Sequence, residues 1–257
     1  MYNSLQLQNL DFDRIIIGTF TGLYEISAQL QSLGVPKEKI DTSYIEVSVK
    51  ARENFVREFA SEFLQNIESK ATDSINTESS RQNYAIAEVG VYRGDFARVI
   101  NEAFSKNRFY LFDTFEGFSM QDLGGNSNTK DGVMGANLGA KHFANTSVEL
   151  VLSKMPNPKN CVIKKGWFPQ SAQDCTDLDS KFCFVNLDCD LYEPILAGLK
   201  FFYPRMCEGG VILIHEYFSN GYVGVRAAVQ EFFAKQNLKS FQKIPIGDNL
   251  SIAILKI

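Results

Sequence analysis

Phe182-Cys183-Phe184-Val185-Asn186-Leu187-Asp188-Cys189-Asp190 is the stretch around which the chain is organised: an apolar run that ends on two carboxylates. A short apolar, β-rich run bounded by turn signals reads as a buried strand. In an open α/β sheet, ligands bind outside the carboxyl ends of the strands. A second run, Val211-Ile212-Leu213-Ile214, ends on His215 and Glu216. Two strands that end in ligand-type side chains can converge on one point. The expectation is a metal-assisted active site at that point. Asp188 and Asp190, two positions apart, are expected to point to the same side.

The alternation of strand and helix extends outward from this stretch. Strands are expected at Tyr84 to Val89, Arg108 to Phe112, Cys161 to Lys164 and over the two runs above. Helices are expected at Asp95 to Phe104, near Thr146 to Lys154, at Leu191 to Phe202 and at Val223 to Lys235. Phe241 to Ile246 and Leu250 to Lys256, joined by Gly247-Asp248-Asn249, read as a closing hairpin. The fold class is therefore α/β: a Rossmann-like sheet, mostly parallel, with a C-terminal antiparallel hairpin. Residues 1–80 form a βα and helical extension, and residues 81–257 form the main domain. In the extension, Phe12 to Gly18 reads as a strand and Gly22 to Leu33 as a helix ended by Gly34 and Pro36. Ser48 to Ile67 reads as a long amphipathic helix with Phe55, Val56, Phe59, Phe63 and Ile67 on one stripe. Such a stripe is core more often than pocket wall. The polar stretch 68–82 marks the boundary.

Composition narrows the function. The chain has 257 residues, 45% hydrophobic, with a formal net charge of -4. Without a basic excess, binding to a nucleic-acid backbone is not favoured. No apolar run approaches the ~20 residues of a membrane span. The start of the sequence lacks the pattern of a secretory signal. The five cysteines show no C-x-x-C pairing, which suits reduced thiols in a cytoplasmic protein.

Four further motifs carry chemistry. Ala87-Glu88-Val89-Gly90-Val91-Tyr92-Arg93-Gly94-Asp95 spans the first strand-to-helix turn. Gly90 permits a tight turn, Gly94 permits close approach to a ligand, and the helix amides beyond it can receive a carboxylate. The absence of G-x-G-x-x-G and of a Walker lysine argues against dinucleotide and triphosphate binding. Asp113 closes the second strand, 23 positions after Gly90. It reads either as the acceptor for a ribose diol or as an Asx turn, and its pairing with Gly90 and Gly94 favours a ribose-bearing cofactor. Trp167 and Phe168, after the third strand, can stack on an adenine ring or tuck into the core. Asp188 and Asp190 offer hard oxygen ligands for Mg²⁺ or Mn²⁺, or else Asp190 caps the next helix. His142 lies in a glycine-rich region and reads either as a mobile second base or as a solvated loop residue.

These residues, in this order and spacing, resemble the macrocin O-methyltransferase family. The resemblance rests on Glu88-Val89-Gly90-Val91-Tyr92-Arg93-Gly94, Asp113-Thr114-Phe115-Glu116-Gly117-Phe118, Gly166-Trp167-Phe168, Leu187-Asp188-Cys189-Asp190-Leu191-Tyr192-Glu193, and Tyr203-Pro204 with Gly209-Gly210. It covers residues 81 to 257. It implies a class I S-adenosylmethionine-dependent sugar O-methyltransferase assisted by a divalent metal. By that resemblance Glu88, Gly90 and Gly94 hold the methionine part of the cofactor, with Tyr92 and Arg93 beside them. Asp113 takes the ribose, next to Thr114, and Gly166, Trp167 and Phe168 sit near the adenine. Asp188 is a metal ligand at the cofactor, and Asp190 is the base. The family's Asp-Asp-Tyr after the fifth strand appears here as His215-Glu216-Tyr217. His215 and Glu216 then complete the metal site, and Mg²⁺ or Mn²⁺ is the expected ion. Pro194 stands where a small hydroxyl residue is usual.

The expected reaction is methyl transfer to a hydroxyl of a sugar, as a small molecule or a glycan precursor, by a cytoplasmic enzyme. No nucleic-acid or membrane partner is expected, and the family suggests a homodimer. The glycine-rich loop 117–139 is expected to order over the substrate as a lid. Two alternatives stay open: methylation of another polar oxygen such as a phosphate or phosphoramidate, and a non-catalytic cofactor-binding module. A nicotinamide-dependent dehydrogenase is disfavoured because G-x-G-x-x-G is missing.

Overall fold

The structure, a computed structural model, describes residues 11–19, 23–70, 84–123, 130–132, 139, 141–173, 181–237 and 239–257. Its centre is a seven-stranded sheet built from β3 (Tyr84–Val89), β4 (Phe109–Asp113), β5 (Cys161–Lys165), β6 (Lys181–Leu187), β7 (Met206–Ile214), β8 (Phe241–Pro245) and β9 (Ile252–Lys256). The strand order is β5-β4-β3-β6-β7-β9-β8. The first five strands pair in parallel, and β9 runs antiparallel to both β7 and β8. The mostly parallel α/β sheet with its antiparallel closing hairpin is thus as the sequence predicts.

The strands are apolar on both faces because both are covered. On one face Ala85, Ala87, Phe112, Val185 and Ile212 pack with α7 (Tyr192–Phe202) and α8 (Val223–Phe233). On the other, Ile86, Leu111, Phe184 and Leu213 pack with α3 (Asp95–Ala103), α5 (Val148–Lys154) and α2 (Ser43–Lys70). Period-2 alternation explains the division of neighbouring residues between two cores. Val56 and Ala60 of α2 are fully part of the second core. The aromatic stripe lies there too: Phe59 packs in tilted contact with Phe104 and Phe184.

The extension differs in detail from the pattern reading. The strand expected at 12–18 is only β1 (Ile15–Ile16), paired in parallel with an unforeseen β2 (Ile40–Asp41). Between them lies α1 (Leu23–Ser32). A small separate cluster of Ile17, Leu23, Leu30, Val35 and Ile45 holds this unit together. Helix α2 begins five residues before the expected start, because Asp41 Oδ1 accepts from the Ser43 amide at 3.0 Å and the Thr42 hydroxyl donates to Glu46 at 2.8 Å. That local capping is invisible to an apolar-stripe count. Residues 68–70 of the expected polar boundary are helical, and 71–83 lie outside the described residues.

Strand β7 also starts early. Phe182 pairs with Met206 but Phe184 pairs with Val211, so the segment with Gly209 and Gly210 is a bulge within the strand. The lid expected over 117–139 contains α4 (Met120–Leu123), while 124–129 and 133–138 lie outside the described residues. Its described segment 130–132 is anchored: Asp131 Oδ1 accepts from the Tyr192 amide at 2.7 Å. Asp131 therefore satisfies the N-terminus of α7, a role the sequence offered to Asp190. Pro194 sits in that first turn, where its missing N–H costs no helix bond.

One glycine is irreplaceable on geometric grounds. Gly90, at φ +84°, lies so close to the end of β6 that a Cβ would meet the Asp188 carbonyl oxygen at 2.1 Å. Gly90→Ala is expected to lower unfolding free energy by about 2 kcal/mol or more, because strain and a backbone clash act together. Gly139→Ala, with nothing within 4 Å, is expected to stay within about 0.5 kcal/mol of the parent. Urea unfolding of both variants checks this, and an unchanged Gly90→Ala midpoint contradicts the packing described.

Candidate active site

The sheet register brings the expected site residues together. Val89 pairs with both Phe112 and Leu187, and Leu187 pairs with Ile214. Asp113, Asp188 and His215, which end or follow these strands, therefore stand along one edge of the sheet. The strand order reverses here: β4 and β5 lie to one side of β3, β6 and β7 to the other. A cavity of about 450 Å³ opens at this switch point, a volume suited to a small-molecule ligand. All the expected site residues line it except Gly94 and His142.

Those two are placed elsewhere. Gly94, at φ +78°, faces Val151 and Met155, so its lack of a side chain serves helix packing and not ligand approach. His142 is exposed, and its ring lies parallel to Phe118 at 5.9 Å and against Phe143 at 4.2 Å. Phe118 and Phe143 reach the cavity; His142 stands behind them. It is not placed to act as a second base.

Glu88 carries the clearest mark of a missing partner. It is buried, and its Oε1 accepts from Asn186 Nδ2 at 2.8 Å. Its Oε2 is buried with no hydrogen-bond partner. Burial, with Asp188 adding to it, holds the carboxyl well above the usual carboxylate range. An orphaned carboxylate oxygen beside the cavity fits a cationic ligand, such as the ammonium group of S-adenosylmethionine.

Asp113 does more than the ribose role predicts. Its Oδ2 accepts from the amides of Val91 at 2.7 Å and Tyr92 at 2.8 Å, and its Oδ1 from Phe115 at 2.7 Å. It fixes the β3–α3 turn first; the Thr114 hydroxyl lies 3.5 Å from Oδ1 and 2.5 Å from the Gly117 carbonyl, so a ligand hydroxyl on Oδ1 would take the place of Thr114. Burial raises its carboxyl despite these three amides and the Thr114 hydroxyl. Gly166 donates its amide to the Asp113 carbonyl at 2.9 Å, which ties the third loop to the second strand. Trp167 is held by Asp122, whose Oδ1 accepts the indole N–H at 2.8 Å. Burial pushes Asp122 up to about 6. Phe168 is buried among Phe112, Phe201 and Phe202 while still edging the cavity.

Strand β6 ends at Leu187, so Asp188 and Asp190 do not share a strand face. Asp190 reaches the cavity because the backbone turns there, at φ 60°. Tyr92 and Glu216 adopt the same left-handed conformation, at φ 49° and 58°. With Phe143 at φ 58°, four non-glycine residues held this way around one cavity cost conformational energy that packing must offset, a pattern found at functional sites. Burial raises the Asp190 carboxyl well above its ordinary value, and Asp188 and Glu216 raise it further.

The residue the sequence reading missed is Arg52 of α2. Its Nη2 donates to Asp188 Oδ2 at 2.8 Å and to Asn186 Oδ1 at 3.1 Å. Its guanidinium carbon lies 3.8 Å from the Phe96 ring centroid. Burial pushes the Asp188 carboxyl up, but Arg52, followed by His215, more than offsets this and leaves it lowered. His215 is held down to about 4 by burial and by Arg52, and so is neutral near pH 7. The Ser251 hydroxyl donates to Asp248 Oδ2 at 2.5 Å, so its oxygen accepts from His215 Nδ1 at 2.9 Å. This network assigns the proton to Nδ1 and leaves Nε2 unprotonated, 3.6 Å from Glu216 Oε1.

Asp188, His215 and Glu216 share the cavity, as expected for a metal site, but their arrangement does not fit one. The Asp188 oxygen is already paired with a cation, and no group of three His, Cys, Asp or Glu among the described residues is set to hold an ion.

Comparison with known proteins places this geometry. A family model described as macrocin-O-methyltransferase (TylF) matches residues 59–247. The match begins within α2, beyond Arg52. The O-methyltransferase NovP aligns with a TM-score of 0.59 at 20% identity, over 80% of this chain and 79% of that one. CalS11, a calicheamicin methyltransferase, aligns with a TM-score of 0.52 at 17% identity, over 80% of this chain and 92% of that one. At these identities the two structures speak for the fold. No curated protein matches the sequence.

Glu88→Gln separates binding from folding. A carboxyl raised by burial contributes stability that is present below its unfolded pKa and lost as pH rises through the folded value. Near neutral pH the substitution removes that loss, so unchanged or increased thermal stability is expected, together with S-adenosylhomocysteine binding weakened tenfold or more (about 1.4 kcal/mol). Calorimetry and thermal unfolding of the variant check both; unweakened binding removes Glu88 from the cofactor site.

Proposed function

The chain belongs to the macrocin-O-methyltransferase family and is an S-adenosylmethionine-dependent O-methyltransferase; from this we propose that its acceptor is a sugar hydroxyl and that Asp190 is the base. The observation that carries the reading is Asp190 itself. It is a cavity-lining carboxylate beyond β6, held in a left-handed turn, whose proton affinity is raised by burial and by two neighbouring carboxylates. A base of that kind is matched to a hydroxyl proton better than an ordinary surface carboxylate.

When bound, S-adenosylmethionine supplies an electrophilic methyl group on a sulfonium. Glu88 holds the cationic end of the cofactor. Asp113 accepts a ribose hydroxyl on Oδ1 in place of the Thr114 hydroxyl. Asp122 fixes Trp167 beside the adenine site. Asp190 accepts the proton of the acceptor hydroxyl as the C–O bond forms and the carbon–sulfur bond breaks. The products are the methyl ether, S-adenosylhomocysteine and protonated Asp190. Phe118, Phe143 and Tyr222 line the cavity and limit water around the reacting atoms. No step runs through a divalent cation, because the residues at Asp188, His215 and Glu216 do not fit one.

The same reading gives the organisation: 81–257 as the methyltransferase domain and 1–80 as an extension that supplies one wall of the site. A small-molecule or glycan-precursor acceptor, a homodimer and a cytoplasmic location accord with the family. Among the described residues no helix is long and apolar enough to cross a membrane.

Release of S-adenosylhomocysteine against a panel of sugar nucleotides, simple glycosides and phosphate esters tests the acceptor class. Turnover with sugar hydroxyls is expected. Turnover confined to phosphate esters contradicts the sugar reading. Asp190→Asn is expected to lower turnover about 10²- to 10⁴-fold while leaving S-adenosylhomocysteine affinity within a few-fold. Because the base must be unprotonated and its pKa is raised, the parent's rate is expected to fall on acidification well above the ordinary Asp range of about 4. A rate flat down to that range removes Asp190 from the proton transfer.

A further inference from the structure

Arg52 stands at the centre of the site without belonging to the segment that defines the family. It comes from α2, and its partners Asn186 and Asp188 lie 134 and 136 positions away in sequence. Its side chain is 11% exposed. The guanidinium lies over Phe96, which shields it from water on that side. Of its five N–H donors, the Nη2 pair is used by Asp188 and Asn186. Nε is buried and has no partner, and Nη1 has no acceptor among the described residues. Through Nη1 the side chain thus brings an unspent donor and its positive charge to the cavity that also holds Asp190, His215 and Glu216.

A second cavity, of about 430 Å³, meets the first at Arg52, Asp95, Phe96 and His215. It is walled by α1 and α2 of the extension, with Tyr24, Glu25 and Glu53 on its surface. The guanidinium therefore lies in the partition between a cavity suited to the cofactor and a second cavity with room for another molecule.

We propose that Arg52 is the resident cation of this active site, binding the acceptor's oxygens in the position a divalent metal takes in a metal-assisted site, so that methyl transfer here needs no metal. The inference rests on the methyltransferase reading above. Nη1 keeps both of its N–H groups and can donate to neighbouring oxygens of an acceptor. It stabilises negative charge that develops on the acceptor oxygen as Asp190 takes the proton. A divalent ion placed on Asp188 would lie at contact distance from this fixed charge, in surroundings that screen repulsion poorly. The sequence change is consistent: where the family carries two aspartates, His215 and Glu216 stand here, one carboxylate fewer.

Two titrations on the full chain test this separately from the methyltransferase reading. S-adenosylhomocysteine is titrated first, in EDTA and in MnCl₂; equal binding in both is expected, and no binding in either counts against the methyltransferase reading alone. MnCl₂ is then titrated into wild type, Arg52→Lys and Asp188→Asn, with calorimetry and the Mn²⁺ spin-resonance signal as readouts. No saturable site tighter than about 1 mM (roughly −4 kcal/mol) is expected in wild type or Arg52→Lys. A tighter Mn²⁺ site in wild type that disappears in Asp188→Asn overturns the proposal. The wild-type titration decides the matter even if a variant does not fold.

Discussion

The buried charge of Arg52 against Asp188 is the interaction on which the site depends. Seven carboxylates line one cavity, and five of them, from Glu88, Asp113, Asp188, Asp190 and Glu216, stand at or just beyond the carboxyl ends of the strands. Like charges this close raise one another's pKa and oppose folding unless something offsets them. Arg52 does so for Asp188 directly, and it lowers the cost at Glu88, Asp190 and Glu216. The charge arrives on a helix docked by Val56 and Ala60 onto the face of the sheet away from α7 and α8. The extension is therefore tied to the chemistry, and removing either member of the pair would leave an uncompensated buried charge.

A second device recurs around the cavity. A carboxylate from one loop satisfies the N–H groups of another. Asp113 receives the amides of Val91, Tyr92 and Phe115, Asp131 receives Tyr192, and Asp122 receives the Trp167 indole. Strand-to-helix turns leave such groups without partners. Bonds across loops fix the turns relative to one another, which holds site groups at a set distance. The close contact of Gly90 with the Asp188 carbonyl serves the same end by shape alone.

Much of this architecture is legible in the sequence, because alternation of apolar runs and amphipathic stretches is a local signal. Tyr84–Val89 and the closing hairpin can be read almost residue by residue. The strand ends likewise place Glu88, Asp113, Asp188 and His215 correctly, since topology fixes where ligands bind. What escapes is nonlocal. Arg52 reads as a surface position on an amphipathic helix, and nothing near it in sequence points to a carboxylate 136 positions away. Asp131 looks like a loop residue until α7 is seen to lack its own cap. Asp190 reads in sequence as sharing a strand face with Asp188, but the strand has already ended. His142 has the right chemistry and the wrong side of two aromatic rings. The one partial signal for Arg52 was the departure at His215-Glu216, which implies that positive charge is supplied in some other way.

The most direct measurement is a crystal structure of the protein with S-adenosylhomocysteine. The account requires the cofactor's amino group at Glu88 Oε2 and the Arg52 guanidinium still on Asp188, with its free N–H groups facing the space next to the sulfur. A cofactor bound away from Glu88, or an Arg52 side chain swung out of the cavity, would contradict it.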